Sequence, residues 1–451
     1  MNNHKINIIL AVDKHFGLGY KYNMAWDIPE ELAIFKEKTI NNTIILGHQT
    51  YKYMPRIKNR NIICISRTPK HSFTDNLKFT TSIESALLLA EQYNKPIFIC
   101  GGNQIYQQFF NNFDNSKIRI HISIINEIFK CDTFFDKKFL NNFYIIEEQK
   151  YKDFTHYILD YKKYGEYQYL NILNEVLING DERCGRNGNV ISSFVKHLKF
   201  DLRDGFPLLT TKKMFLKGII EELLFFIRGD TNSKILEEKG INIWKGNTSR
   251  EFLDKAGFNN RPDGVMGPLY GFQWRFFGAE YDEKEAKHLT EGIDQLQNVI
   301  NLINNDPTSR RILLTSYNSK QANDGVLYPC HSLIIQFYVN GEFLDMFCYN
   351  RSQDVFLGTP FNISSSALLL IIIAQITNKK PRYLNMSMGD THIYENHIKS
   401  VKEQIERIPY IFPIIKFPNF SSLKEVEKLT FEDFELLNYN YYPSIKATMV
   451  P

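Results

Sequence analysis

Tyr328-Pro329-Cys330-His331 sets a cysteine between a proline and a histidine. Downstream, Asn350-Arg351-Ser352-Gln353-Asp354 leads through Val355-Phe356-Leu357-Gly358-Thr359-Pro360-Phe361 to Asn362. A thiol followed by an arginine, an acid and an amide points to covalent chemistry on an anionic substrate. The thiolate is the reactive form, and a nearby guanidinium is expected to favour it by lowering a thiol pKa of about 8.5. Without such neighbours a lone cysteine is by default a small buried hydrophobe. A second cluster lies in Met24-Ala25-Trp26-Asp27-Ile28-Pro29-Glu30-Glu31-Leu32. A tryptophan before a helix with one inward carboxylate suits a cationic heteroaromatic ring, held by a charge-assisted pair. Asp27 and Glu30 read instead as acids decorating a helix N-terminus, where they are favoured. Cys100-Gly101-Gly102-Asn103-Gln104-Ile105-Tyr106 follows a strand-like run and opens a helix. Paired glycines there let backbone amides approach a pyrophosphate, although the spacing is not that of the dinucleotide fingerprint.

These groups need a scaffold, and the first third supplies an alternating one. Ile6 to Val12, Thr43 to Leu46, Arg60 to Ser66 and Pro96 to Cys100 are short apolar runs of buried-strand type. Pro29 opens a helix through Phe35 and Lys38, acidic in its first turn and basic later. Helical segments at Ser82–Tyr93 and Gln104–Phe110 separate other strands. The alternation implies an α/β domain with a mostly parallel sheet flanked by helices. Ile118–Ile125 and His156–Tyr161 are expected as hairpin-like edge strands. Lys162-Lys163-Tyr164-Gly165-Glu166 is the best boundary, giving a first domain at 1–162, a junction at 163–166 and a second domain at 167–451. The apolar run Ala367–Ala374 is far short of the roughly 20 residues that span a bilayer. It reads as a buried helix ending near Asn378.

The 451 residues are too many for one ordinary core. With 43% hydrophobic and 14% aromatic residues, packed cores are expected rather than disorder. The net charge of +4 is mild, and no Lys/Arg block argues for nucleic acid. Six scattered cysteines, Cys64, Cys100, Cys131, Cys184, Cys330 and Cys348, show neither disulfide nor zinc spacing. No metal centre is expected. Reduced thiols and an N-terminus without a signal-like segment point to the cytoplasm.

Pro329-Cys330-His331 and the Arg351–Asn362 run resemble thymidylate synthase. The likeness continues through Asp204-Gly205-Phe206-Pro207-Leu208, Leu223–Asn232, Asp306-Pro307-Thr308-Ser309-Arg310-Arg311 and Gly389-Asp390-Thr391-His392-Ile393-Tyr394, and it covers the chain after about residue 165. The resemblance implies an α+β domain in which Cys330 attacks C6 of dUMP. C5 then becomes nucleophilic and takes a one-carbon unit from 5,10-methylenetetrahydrofolate. It implies phosphate contacts from Arg183, Arg310, Arg311, Arg351 and Ser352, with guanidinium forks suited to a dianion. Arg310 and Arg311 would reach the neighbouring subunit's site in a two-fold homodimer. Asn362 would read the uracil edge, since an amide offers both donor and acceptor. Asp354 would orient ligands, and His392 and Tyr394 would contact the ribose. Glu222 would manage proton transfers, while Glu221 beside it is expected at the surface. Tyr270, Asn318 and His331 complete the site, and Trp244 and Asn247 would line the folate side. Three positions depart from the pattern. The loop after Gly180 is short and makes Arg186 a rival for Arg183, Ser366 stands where tyrosine is usual, and the terminal Pro451 could alter C-terminal closure.

Residues 4 to 162 resemble dihydrofolate reductase. The likeness rests on Leu10-Ala11-Val12-Asp13, Trp26 with Glu31, Phe35-Lys36, Leu46-Gly47-His48-Gln49-Thr50-Tyr51, Ser66-Arg67, Gly101-Gly102 and Asp132-Thr133-Phe134-Phe135. It implies Glu31 as the carboxylate that promotes pterin protonation, with a Ser123 hydroxyl bonded to it. Phe35 and Met54 would flank the folate, and Arg60 would grip its glutamate carboxylate. Ala11, Gly17, Thr50, Ser66, Arg67, Gly101, Gly102 and Tyr106 would hold NADPH. Ordinary packing is the competing reading of Ser123 and Tyr106. His48-Gln49 replaces a basic pair at the cofactor phosphates, which implies weaker cofactor affinity. Ala25 stands where proline usually precedes the tryptophan.

Together the halves resemble the bifunctional dihydrofolate reductase–thymidylate synthase family, in which one site makes dihydrofolate and the other reduces it. Three rival readings stand beside this one: a synthase whose reductase half is a catalytically impaired structural module, a pyrimidine hydroxymethylase, and an RNA-binding regulator. Nucleic acid and membrane are not expected partners; dUMP and folates are.

Overall fold

The computed structural model describes residues 5–68, 74, 76–185 and 188–448. Arg186 and Pro451, singled out above, lie outside the described residues. The chain divides into two units, Met1–Lys163 and Tyr164–Pro451.

The first unit is built on an eight-stranded sheet of order β5-β4-β3-β6-β1-β7-β10-β9. Its strands are β1 (Ile6–Val12), β3 (Thr43–Gly47), β4 (Asn61–Ile65), β5 (Leu77–Thr80), β6 (Ile97–Ile99), β7 (Ile118–Ile125), β9 (Phe143–Lys150) and β10 (Phe154–Tyr161). A small ribbon pairs β2 (Gly17–Gly19) with β8 (Thr133–Phe134). Pairing is parallel from β5 to β7, and β10 runs antiparallel to both its neighbours. Neither β7 nor β10 is an edge strand, contrary to expectation. β7 pairs in parallel with β1 from Ile118 to Ile124, and β9 takes the edge. The polar run Glu147-Glu148-Gln149-Lys150, exposed at the end of β9, suits an unpaired edge.

The helices α1 (Pro29–Thr39), α2 (His48–Tyr53), α3 (Ile83–Glu91) and α4 (Asn103–Asn112) belong to this unit. The central strands are apolar on both faces, as buried parallel strands must be; Ile9, Ile44, Leu46, Phe98 and Cys100 form one core cluster, against which Phe35 and Met54 pack. Thr50, Ser66-Arg67 and Gly101-Gly102 all follow the carboxyl ends of parallel strands β3, β4 and β6. That edge is where open α/β sheets bind ligands.

In the second unit α5 (Tyr167–Asn179) precedes a six-stranded sheet of order β11-β12-β18-β17-β16-β15. The strands are β11 (Asp181–Gly185), β12 (Gly188–Asp201), β15 (Leu313–Thr315), β16 (Ile334–Asn340), β17 (Phe343–Asp354) and β18 (Lys380–Tyr394). Only β17 and β18 pair in parallel; the other pairs are antiparallel. A two-residue ribbon joins β13 (Tyr281–Asp282) to β14 (Lys287–His288). The helices are α6 (Leu216–Arg228), α7 (Lys234–Glu238), α8 (Arg250–Lys255), α9 (Gly271–Phe276), α10 (Gln295–Asn305), α11 (Gly358–Ile376) and α12 (Ile398–Ile405). α11 is long and apolar enough to cross a membrane by length and composition. Here it packs on β17, β18 and α6 as the expected core helix.

Glu166, immediately before α5, is fully buried. Its carboxylate accepts from Thr210 N and Oγ1, both at 2.7 Å, from Thr211 N at 2.9 Å, and from Thr211 Oγ1. A buried charge tolerates its setting only with such complete hydrogen bonding.

Candidate active sites

Cys330 sits in the loop entering β16, half-buried. Its carbonyl accepts from Arg351 N at 2.8 Å and Ser352 N at 3.4 Å. The Arg351 side chain grips the same loop: Nε donates to Pro329 O at 2.9 Å and Nη2 to Tyr328 O at 3.2 Å. The arginine therefore positions the cysteine loop as well as placing charge beside it. The Tyr270 hydroxyl lies 3.4 Å from both Cys330 Sγ and Cys330 N. Tyr270 has φ of +33° at the N-cap of α9, a conformation that costs about 1–3 kcal/mol. It is held there by burial and by stacking on His331 at 4.2 Å between ring centroids.

The expectation of a thiol lowered by its guanidinium is corrected. Burial pushes the Cys330 thiol up; the Tyr270 hydrogen bond and the Arg351 charge pull it down without prevailing. Burial holds His331 neutral by lowering its pKa to about 4.

Glu222 projects from α6, and burial raises its carboxyl to about 7 despite a 2.7 Å hydrogen bond donated by Trp244 Nε1. Such a group both gives and takes protons near neutrality. Glu221, expected at the surface, is buried. α6 is enclosed almost all round, so Glu221 pairs inward with Lys239 and accepts from Phe431 N at 2.8 Å. Trp244 and Asn247 are buried in the segment between α7 and α8.

Asn362 lies on the first turns of α11, and its Nδ2 donates to Gln353 Oε1 at 3.1 Å. That bond orients the amide and leaves Oδ1 and the second N–H to read a ligand edge. Gln353 is itself buried and accepts from Thr359 Oγ1 at 3.0 Å. Asp354 turns to the backbone, accepting from Phe356 N and Leu357 N at 2.9 and 3.1 Å ahead of α11. Asn318 donates to Gln321 Oε1 at 2.9 Å. Arg183, exposed on β11, donates to Asp390 Oδ2 at 2.7 Å, and Asp390 Oδ1 meets His392 Nδ1 at 2.9 Å. Asp390 lies opposite Ser352 and His392 opposite Asp354 on the parallel strands β17 and β18. Tyr394 packs edge-on to His392 at 5.2 Å. These residues thus share one end of the sheet. Arg310 and Arg311 stand apart from them, exposed ahead of β15. Ser366 is buried within hydrogen-bond reach of Cys348 Sγ, at 3.9 Å.

In the first unit Glu31 on α1 is 5% exposed, whereas Asp27 and Glu30 are exposed as expected. Burial raises the Glu31 carboxyl, and hydrogen bonding by the Ser123 hydroxyl lowers it in part. Ser123 is opposite Ala11 on β1 and opposite His156 on β10. Arg60 is buried; its Nε and Nη2 donate to Thr39 Oγ1 at 3.1 and 3.0 Å and its Nη1 to Lys58 O at 2.7 Å. Nη2 also donates to Lys36 O at 3.2 Å, so only one Nη1–H remains for a ligand carboxylate.

Gly101 has φ of +91°, and a Cβ there would meet the Tyr106 ring at 2.9 Å. A Cβ on Gly102, the N-cap of α4, would lie 3.0 Å from Thr50 Oγ1. The Tyr106 hydroxyl donates to Ile9 O at 2.7 Å, so this residue backs the glycines from inside. Ser66 is buried and Arg67 exposed at the end of β4. Gly17 is packed so closely that an added Cβ would lie 2.5 Å from Cys131 Sγ.

Comparison with known proteins matches residues 5–165 to the dihydrofolate reductase family and residues 167–451 to the thymidylate synthase family. The bifunctional dihydrofolate reductase–thymidylate synthase of Paramecium tetraurelia is 35% identical over 466 residues, covering 99% of each chain. That of Zea mays is 33% identical over 506 residues, covering 98% of this chain and 96% of its own. The chain belongs to the bifunctional dihydrofolate reductase–thymidylate synthase family. It is a two-activity enzyme, a thymidylate synthase and a dihydrofolate reductase.

Set in this family, several residues beyond the motif readings stand out. Gln353 orients Asn362. Asp13 ties three backbone amides together, accepting from His15 N and Gly17 N through Oδ1 and from Phe129 N through Oδ2. His156 meets Ser123 across the sheet. Gln353 and Asp13 lay inside quoted motifs; His156 needed strand register to be found.

Proposed function

We propose that the second unit converts dUMP to dTMP with 5,10-methylenetetrahydrofolate, and that the first reduces the resulting dihydrofolate with NADPH. Cys330 Sγ adds to C6 of the pyrimidine, and C5 then accepts the one-carbon unit. Asn362 reads O4 and N3–H. Arg183, Arg351 and Ser352 face the phosphate, His392 and Tyr394 the ribose, and Trp244 and Asn247 the folate. Glu222 manages protons, with its pKa of about 7 supporting both directions of transfer. The observation that carries this reading is the convergence of Tyr270 and Arg351 on the Cys330 loop.

The reductase half fits NADPH. The Gly101-Gly102 surface is one that a Cβ would fill, and it opens the N-terminus of α4. Thr50, Ser66, Arg67, Gly101 and Gly102 would hold the cofactor, which supplies hydride when bound. Glu31 and Ser123 face the pterin, and Phe35, Met54 and Arg60 the rest of the folate.

A two-fold dimer through the synthase sheet belongs to the proposal. Leu313, Ile334, Tyr338 and Phe347 leave an exposed apolar face on β15–β17, unusual for a monomer surface. Arg310 borders it, its carbonyl accepting from Gln336 Nε2 at 3.5 Å. This placement supports donation of Arg310 and Arg311 to the partner's phosphate site. The test is a pair of spectrophotometric assays on purified protein, one with dUMP and methylenetetrahydrofolate and one with dihydrofolate and NADPH. Turnover in both supports the proposal, and silence in either removes that half. A cytoplasmic setting is consistent with six free thiols.

A further inference from the structure

We propose that His156 is a positioning residue of the reductase site, its Nδ1–H donating to Ser123 Oγ and so turning the Ser123 hydroxyl toward the Glu31 carboxylate. The inference rests on the reading of Glu31 as the folate-facing acid and adds a third member behind it.

The geometry begins with register. His156 on β10 is the direct cross-strand partner of Ser123 on β7. Its Nδ1 lies 3.1 Å from Ser123 Oγ, and both residues are buried. The other ring nitrogen, Nε2, has no partner among the described residues. Two tautomers satisfy the 3.1 Å contact. A proton on Nε2 would leave a buried N–H donor without an acceptor, the full desolvation penalty of that group. A proton on Nδ1 leaves only a bare lone pair there, the cheaper defect. The Nδ1–H tautomer therefore wins, and it fills a lone pair of Ser123. The serine's single proton is then free for Glu31, which it stabilises in the charged form.

The surroundings keep the imidazole neutral. His121 on β7 stacks beside it, with ring centroids 6.0 Å apart. His121 Nε2 faces Asn7 Oδ1 at 3.3 Å, so its own proton is accounted for on the far side. Lys38 and Glu37 on α1 are the charged groups acting on His156, opposing one another in sign, and Tyr106 on α4 is the titratable group facing Glu31. Burial first, then Lys38, holds His156 down to about 4. The neutral imidazole acts as a fixed dipole that directs the hydroxyl.

The test is single-turnover hydride transfer across pH on the full-length chain, followed by NADPH absorbance. His156→Phe and His156→Gln lack a donor at the Nδ1 position, and each should raise the apparent pKa of the Glu31 limb by about one pH unit. His156→Asn keeps an N–H at that position and should retain the wild-type limb. In a Ser123→Ala background, His156→Phe should add no further shift. Wild-type profiles in both the Phe and Gln variants overturn the inference. So does an Asn variant displaced as far as Gln, or a Phe shift that persists without the serine. Should the Phe variant fold poorly, the Gln and Asn pair decides. Glu31→Gln separates the two layers. If it keeps the wild-type rate and profile, the Glu31 reading itself falls; if it removes the limb while His156 variants leave that limb unmoved, only the relay falls.

Discussion

Trp244 Nε1 donates to Glu222 Oε1 at 2.7 Å, joining the residue proposed to face the folate to the acid proposed to manage the protons. The bond favours the carboxylate, and burial opposes it more strongly, leaving Glu222 at about 7. Trp244→Phe removes the donor and leaves burial unopposed. The pH profile of dTMP formation should then move its Glu222 limb above 7, with the maximal rate falling. An unmoved limb would show that another group governs it.

The same carboxyl has a stability signature. Its folded pKa of about 7 lies above the ordinary 4.5. Between these values the folded chain binds more protons than the unfolded one, so stability falls as pH rises. Glu222→Gln keeps the shape and removes the ionisation. It should abolish synthase turnover yet stabilise the second unit at pH 8 by up to about 3 kcal/mol. The gain should vanish below about pH 4.5, where both states of the wild type are protonated. Urea titrations at the two pH values measure this.

Arg351→Lys keeps the charge beside Cys330 but loses the fork that grips Pro329 O and Tyr328 O. Two hydrogen bonds from a charged group are lost, each worth about 1.5–3 kcal/mol. The expected result is a fall in kcat/KM for dUMP of at least about 10-fold, with reductase activity unchanged. Equal synthase kinetics would show that only charge matters at this position.

Glu166→Ala leaves the Thr210 and Thr211 amides and hydroxyls without their acceptor. Denaturant unfolding should show the synthase unit destabilised by about 3 kcal/mol or more. A change under about 0.5 kcal/mol, the range of surface substitutions, would mean that water replaces the carboxylate without penalty.

Much of this was legible in the residues. The buried strands of the first unit are continuous β-branched runs, and the motif residues around Cys330 name their own chemistry. Glu221 was misread because α6 is buried nearly all round; two adjacent acids at helical spacing could not both face solvent once Lys239 and Phe431 closed over one of them. The edge role given to β7 failed because Ile118–Ile125 alternates isoleucine with Arg119, His121 and Ser123, the pattern of a half-exposed strand, whereas it is paired on both sides and largely buried. The rise of the Cys330 thiol was hidden because burial is a property of the packed loop, whereas the arginine is visible in the sequence. His156 stayed silent because its meaning lies in pairing with a serine 33 residues earlier.

Cofactor choice tests the exposed Arg67. Wild-type kcat/KM should favour NADPH over NADH, and Arg67→Ala should narrow the ratio by about 10-fold, the loss of one charge-assisted contact. Equal wild-type values for the two cofactors would remove the NADPH assignment.

The most direct measurement is dTMP formation by Cys330→Ser in the full-length chain, with dihydrofolate reduction measured on the same preparation. Loss of synthase turnover by about 10³-fold or more, with intact reductase rates, is the predicted result. Undiminished conversion of dUMP by that variant would contradict covalent attack by this sulfur.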